Sequence, residues 1–277
     1  MVGVSLFGSG RELLGQMGGL DAYAARGATF GIPLLHPWAN RLGGFAYEAA
    51  GHAVALGAET PGLRIEEHGL PIHGLLSASK RWEVREVTDR TLVASLDFGA
   101  DPALLAAFPY PHVLELRVEQ SSSALTVTTT LTPTSDQPVP VSFGFHPYFT
   151  LPGVDRGHLI LRTPAMSKLL LDDHDIPTGE TVLVAPRHAP IGDEDLDTGY
   201  TDLGAEPAFT MAGGGHELTM RFLEGYTHLQ LFTPPNRSVL AIEPMTAPTD
   251  ALRSGTGLRT VTEPFRATFA VDLSEAS

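Results

Sequence analysis

Ala124-Leu-Thr-Val-Thr-Thr-Thr-Leu131 is the stretch on which the fold class turns. Leu125, Val127, Thr129 and Leu131 fall on one side of an extended chain, and mostly threonine on the other. That period of two is the pattern of a strand buried on one face, and β-branched residues suit it. Short runs of similar character recur at 91–98, 112–119, 139–145, 158–162, 216–222, 227–232, 239–242 and 265–273. Most are rich in Val, Leu, Phe or Thr, and turn-forming clusters such as Gly213-Gly-Gly215 and Thr233-Pro-Pro-Asn236 divide them. The expected architecture is therefore all-β, many-stranded and antiparallel.

Glycine (29) and proline (22) are scattered along all 277 residues and leave little room for helix, with 101–107 as the one candidate. No fixed-period repeat, low-complexity tract or polar linker divides the chain, so residues 1–277 are expected to form a single domain. The loosest part, 172–202, mixes acidic residues, prolines and glycines and reads as a long surface excursion.

Composition narrows the function. With 43% hydrophobic and 18% charged residues the chain has material for a large core. Lys and Arg number 18 against 32 Asp and Glu, a net charge of −14, so no basic stripe exists to follow a nucleic-acid backbone. No cysteine occurs, which removes disulfides, thiol nucleophiles and thiolate metal sites together. The first ten residues lack a basic start and an apolar core of signal-peptide type, and no apolar run approaches membrane-spanning length; a cytoplasmic protein without membrane contact is the expectation.

Four segments concentrate polar and ring-bearing residues among turn formers. They are Gly31-Ile-Pro-Leu-Leu-His-Pro-Trp-Ala-Asn-Arg-Leu-Gly-Gly44, Pro71-Ile-His-Gly74, Phe143-Gly-Phe-His-Pro-Tyr-Phe149 and Ile242-Glu-Pro-Met-Thr-Ala-Pro248. In the last, Glu243 closes an apolar run and Pro244 is expected to stop the strand, leaving a carboxylate at a strand mouth. Each segment has a structural alternative: His146 as a histidine bonded to nearby backbone, Glu243 as a partner for Arg253 or Arg259, Trp38 and the phenylalanines as core.

In this order the four segments resemble the aldose 1-epimerase, or galactose mutarotase, family over nearly the whole chain. The resemblance implies a β-supersandwich with an open cleft for a monosaccharide, an aldohexose such as galactose or glucose, and no cofactor. It implies that Glu243 takes the proton of the C1 hydroxyl while His146 gives one to the ring oxygen, and that Arg41, His73 and Asp197 grip the hydroxyls. Asp197 fits a short Asp-x-x-aromatic pattern ending at Tyr200, and Asp202 competes with it. Trp38, Phe145 and Tyr148 are the candidates for stacking on the sugar.

The chemistry suits such a pair. A hemiacetal opens only if one oxygen loses a proton as the other gains one, and each general acid or base contributes roughly 10²–10⁴-fold. Free glutamate titrates near ~4.3 and histidine near ~6.5, so the carboxylate is a ready base and the imidazole needs a modest upward shift, expected from Glu243 itself. Three other readings stay open. One is a hexose-6-phosphate mutarotase, for which Arg64, Arg81 or Arg156 would have to meet the phosphate. Another is a non-catalytic carbohydrate-binding protein of the same fold. The third is a metal hydrolase built on His73, His146 and Glu243.

Overall fold

The computed structural model describes residues 1–8 and 10–275. Two nine-stranded sheets dominate it. One runs in the order Val2–Gly3, Ile32–Leu35, Gly144–Phe145, Leu240–Met245, His228–Phe232, Asp197–Thr201, Met166–Leu171, Pro177–Val184, and Tyr148–Phe149 adds to the Leu240–Met245 strand. The other runs Arg187–Pro190, Ile160–Thr163, Ala208–Gly213, His216–Glu224, Phe265–Glu275, Ala124–Pro133, His112–Gln120, Thr91–Asp97, Glu83–Val87. All the pairings within them are antiparallel.

The Ala124–Pro133 strand lies inside the second sheet, between His112–Gln120 and Phe265–Glu275. Its Val127, Thr129 and Leu131 are buried, as the alternation requires, and join the core facing the first sheet. On its other face Thr128 meets the directly opposite Thr268, hydroxyl to hydroxyl at 3.2 Å. Phe145 of the first sheet packs edge-on against Phe269 of the second at 5.2 Å, and Leu229, Leu231 and Ile242 fill the space around them. This is the mostly antiparallel β-supersandwich expected from the chain.

Three expectations need correction. The 172–202 region is no bare excursion: it carries the Pro177–Val184, Arg187–Pro190 and Asp197–Thr201 strands. Its polar composition reflects edge position, since Pro177–Val184 closes one sheet and is exposed along most of its length. Helix is also more than one segment. Pro102–Ala107 is present, with Asp101 accepting from the Ala103 amide at 2.9 Å as its N-cap, but Gly19–Arg26 forms a longer helix, ended by Gly27 at φ 67°. Pro244 does not stop its strand, which continues to Met245. No helix is long and apolar enough to cross a membrane among the described residues.

Candidate active site

The site is one row of side chains across the first sheet. Gly144 pairs with Met245 and Tyr148 with Ala241, so the unbroken register between them sets His146 opposite Glu243. The ladder is interrupted there because Pro147 has no amide to offer, and the His146 amide turns the other way to the Pro33 carbonyl at 3.1 Å. On its far side Glu243 pairs with Gln230, and two residues further Phe232 pairs with Asp197. Opposite residues and residues two apart share a face. Tyr148, His146, Glu243, Gln230, Phe232 and Asp197 therefore all stand on the outer face of the sheet, while the residues between them face the core.

The same alternation removes two expected stacking residues. Phe145 precedes His146 and must point the other way; it is 2% exposed and sits on Phe269. Trp38 is 1% exposed within the core, its chain bridged to Ser142. Neither lines the cleft. Tyr148 does, but the imidazole of His146 lies against its ring at a 4.3 Å centroid separation and 16°. Phe232, which the motif reading passed over, supplies the cleft's aromatic wall and meets His146 edge-on at 5.7 Å.

Turns supply the rest. Asn40 and His73 hold left-handed backbone at φ 56° and 63°, and the His73 amide donates to the Asn40 carbonyl at 2.9 Å. Gly74 follows at φ 67°, where a Cβ would stand 2.2 Å from the His36 carbonyl oxygen, so only glycine fits. This clamp presents Arg41 and His73 to the cleft, and the His73 ring meets His146 edge-on at 5.4 Å. The Arg41 guanidinium meets Glu66 at 3.3 Å, Asp175 at 3.3 Å and Asp197 at 3.4 Å. Asp197 also accepts from the Gln230 amide. Asp202 is absent from the cleft lining; Asp197 is the aspartate that reaches it. Arg81 pairs with Asp101, and Arg156 is spent on the carbonyls of Gly192 and Pro234.

The cleft encloses about 300 Å³, the small end of the range of roughly 300–1,000 Å³ for small-molecule sites. At its floor His146 Nε2 lies 3.3 Å from Glu243 Oε1, and both residues are buried. Glu243 Oε2 and His73 Nδ1 are buried without a protein partner. Glu243 thus pairs with neither Arg253 nor Arg259; Arg253 is held by Asp250. No group of three or more His, Asp or Glu is placed to hold a metal ion among the described residues.

The electrostatics overturn the expected upward shift of His146. Burial pushes its pKa down to about 3, and the charge of Arg64 adds to the decrease. Burial likewise holds His73 well below its usual value, with His146, Arg64 and Arg41 contributing. Burial raises Glu243 well above the carboxylate range, Asp197 raising it further and Arg41 opposing. Asp197 is raised by burial against the pull of Arg41 and Gln230. The three carboxylates outweigh the burial of Arg41 and hold its pKa up. Burial thus disfavours the charged form of both members of the pair and favours a proton on the glutamate over one on the imidazole.

A β-supersandwich carrying a buried His–Glu pair on the outer face of one sheet, with an arginine and aspartate beside it, defines a class of acid-base clefts. The chain belongs to the aldose 1-epimerase family, whose profile matches residues 7–265. It is 26% identical over 245 residues to the uncharacterised protein YihR of Escherichia coli, covering 82% of this chain and 75% of that one. A putative aldose 1-epimerase of Escherichia coli superposes with a TM-score of 0.78 at 16% identity, covering 99% and 92% of the two chains. Galactose 1-epimerase from Lactobacillus acidophilus does so with a TM-score of 0.75 at 18% identity, covering 97% and 86%. At such identities these two structures speak for the fold.

Proposed function

We propose that this protein is an aldose 1-epimerase that interconverts the α and β anomers of a free, uncharged aldose, with His146 and Glu243 moving the protons. The observation that carries the reading is the register that sets these two residues face to face, 3.3 Å apart, on the floor of a monosaccharide-sized cleft.

The reaction needs a base at one oxygen of the hemiacetal and an acid at the other. In the empty site the single proton rests on Glu243, because burial disfavours both charged forms. A bound sugar changes that balance. Its hydroxyls donate to Glu243 Oε2, which has no protein partner, and hydrogen bonds to a carboxylate favour its ionised form. The proton then crosses the 3.3 Å contact to His146, leaving a carboxylate as base and an imidazolium as acid. Glu243 takes the C1 hydroxyl proton as His146 protonates the ring oxygen, and the C1–ring-oxygen bond breaks. Rotation about C1–C2 presents the other face of the aldehyde, and reversal of both transfers closes the other anomer.

Arg41, His73 and Asp197 are assigned to gripping the hydroxyls, and Phe232 to covering the apolar face of the ring. Charge favours a neutral sugar over a phosphorylated one. Glu66, Glu67 and Asp197 line the cleft, and the charge of Arg41 is already met by three carboxylates. The phosphate reading keeps one support, Arg64, whose Nη1 is buried without a partner. The test is anomer equilibration of freshly dissolved glucose and galactose, followed by polarimetry or NMR with the hexose 6-phosphates in parallel. A rate no greater than buffer with every free aldose would sink the reading. Glu243→Gln should abolish the rate while sugar binding persists; a retained rate would show that Glu243 is not the base. The same Gln variant separates catalysis from mere carbohydrate binding.

A further inference from the structure

We infer that Tyr148, backed by Thr29, is the positioning residue that fixes the imidazole of His146 in both of its protonation states. The phenol and the imidazole lie on the same side of the chain, two residues apart, with rings stacked at 4.3 Å and 16°. The Tyr148 hydroxyl is 3.2 Å from His146 Nε2 and 2.7 Å from Thr29 Oγ1. Nε2 is also the atom that faces Glu243, so the phenol touches the nitrogen through which the proton passes.

A general acid that is bare at one moment and protonated at the next needs a neighbour that suits both conditions. A hydroxyl is such a neighbour, because it donates one hydrogen bond and accepts others. When Nε2 is bare, the phenol donates to it and Thr29 donates to the phenol. When Nε2 carries its proton, the phenol accepts and turns its own hydrogen to Thr29. In both states the bond at Nε2 is made, while Nδ1 has no protein partner and leaves the ring's placement to the phenol. The other groups facing the ring cannot substitute. Glu243 is a reaction partner, His73 and Phe232 present ring edges, and Arg64 and Asp197 act on the phenol through their charge. The stack also occupies one face of Tyr148, which lines the cleft as well.

The inference builds on the epimerase reading, and one of its two readouts is independent of turnover. In protein carrying 15N-labelled histidine, His146 in the wild type should show a single tautomer. Tyr148→Phe, which keeps the ring, should give a tautomer mixture for His146. It should also lower kcat for anomer exchange by roughly ten- to hundredfold with KM within about twofold, the scale of a hydrogen bond to a charged group. Thr29→Val should move both readouts the same way by less, and it serves if the tyrosine variant does not fold. An unchanged His146 tautomer in both variants overturns the inference, as does a Tyr148→Phe effect confined to KM, which would make Tyr148 a sugar contact. If the wild-type chain equilibrates no aldose, the epimerase reading fails while the tautomer measurement still decides the role of Tyr148.

Discussion

Mild acid should unfold this protein steeply, and the structure gives the slope. His36, His73, His112, His146 and His228 are all buried. Burial is the leading cause lowering each: His36 and His73 well below the usual value, His112 and His228 to about 4, His146 to about 3. His36 and His112 compound the effect by meeting Nε2 to Nε2 at 2.9 Å, where two protons cannot sit together. Above pH 6.5 folded and unfolded chains alike hold these rings neutral. As pH falls below 6.5 the unfolded chain binds protons that the folded one refuses, so stability is lost from there down towards the folded-state values. Each histidine contributes about 1.4 kcal/mol per pH unit in that window. Five would sum to about 7 kcal/mol per unit. Glu243, Asp197 and Asp250 act oppositely, since their raised values make folding favour protonation. If all three oppose in full, about 3 kcal/mol per unit remains. Against a total stability of about 5–15 kcal/mol, such slopes unfold the chain within a few units of pH 6.5. Urea unfolding at steps from pH 8 to pH 5 measures the effect directly. A loss below about 1.4 kcal/mol per unit between pH 6.5 and 5 would refute the argument, because fewer than one excluded proton would then be in play.

Three further outcomes follow from the site. The kcat/KM profile, which reports the empty site, should show no limb near pH 6.5: the pair gains its second proton only near His146's value of about 3, so activity should fall in acid together with the unfolding signal, not ahead of it. On the alkaline side kcat/KM should decline only above the ordinary carboxylate range, where Glu243 loses the shared proton; circular dichroism read beside the assay tells the two losses apart. Gly74→Ala forces a side chain into left-handed backbone and against the His36 carbonyl oxygen; it should destabilise by at least about 2 kcal/mol in urea titrations and raise KM by displacing His73. Arg41→Lys loses the fork that meets Glu66, Asp175 and Asp197 together and should raise KM by about tenfold with a smaller change in kcat, measured by progress curves over a range of sugar concentration.

What the sequence could and could not reveal follows from how each residue reaches its place. The Ala124–Pro133 strand announced itself because its pairing partners are strands of the same alternating kind and its burial depends on period alone. His146 and Glu243 stood out through flanking prolines and aromatics, and Arg41 and His73 through the tight turns that carry them. Gln230 was visible in principle, as one buried polar residue inside the apolar run His228-Leu-Gln-Leu-Phe232, but only the register ties it to Glu243 and, through its amide, to Asp197. Glu66, Asp175 and Thr29 were not legible. They reach Arg41 or Tyr148 from a turn, a hairpin tip and a loop far apart in the chain, and nothing local marks a carboxylate that will meet Arg41. The misassigned Trp38 and Phe145 have the same lesson from the other side: a motif names neighbours in sequence, whereas a strand sends neighbours to opposite faces.

Burial explains why the pair is both poised and protected. The solvent exclusion that strengthens interactions with a developing charge also disfavours every charged form in the empty cleft. A histidine and a glutamate sharing one proton escape that conflict, since the proton can rest on the glutamate without net charge and cross 3.3 Å when hydroxyls arrive. Solution values of about 6.5 and about 4.3 would have made the same pair a permanent ion pair. In that state the base would already be bonded to the acid, and the sugar would have to break the bond before using it. On the proposed epimerase reading, the lowered imidazole and the raised carboxyl leave the charge separation to be made by the substrate, at the oxygens that need it.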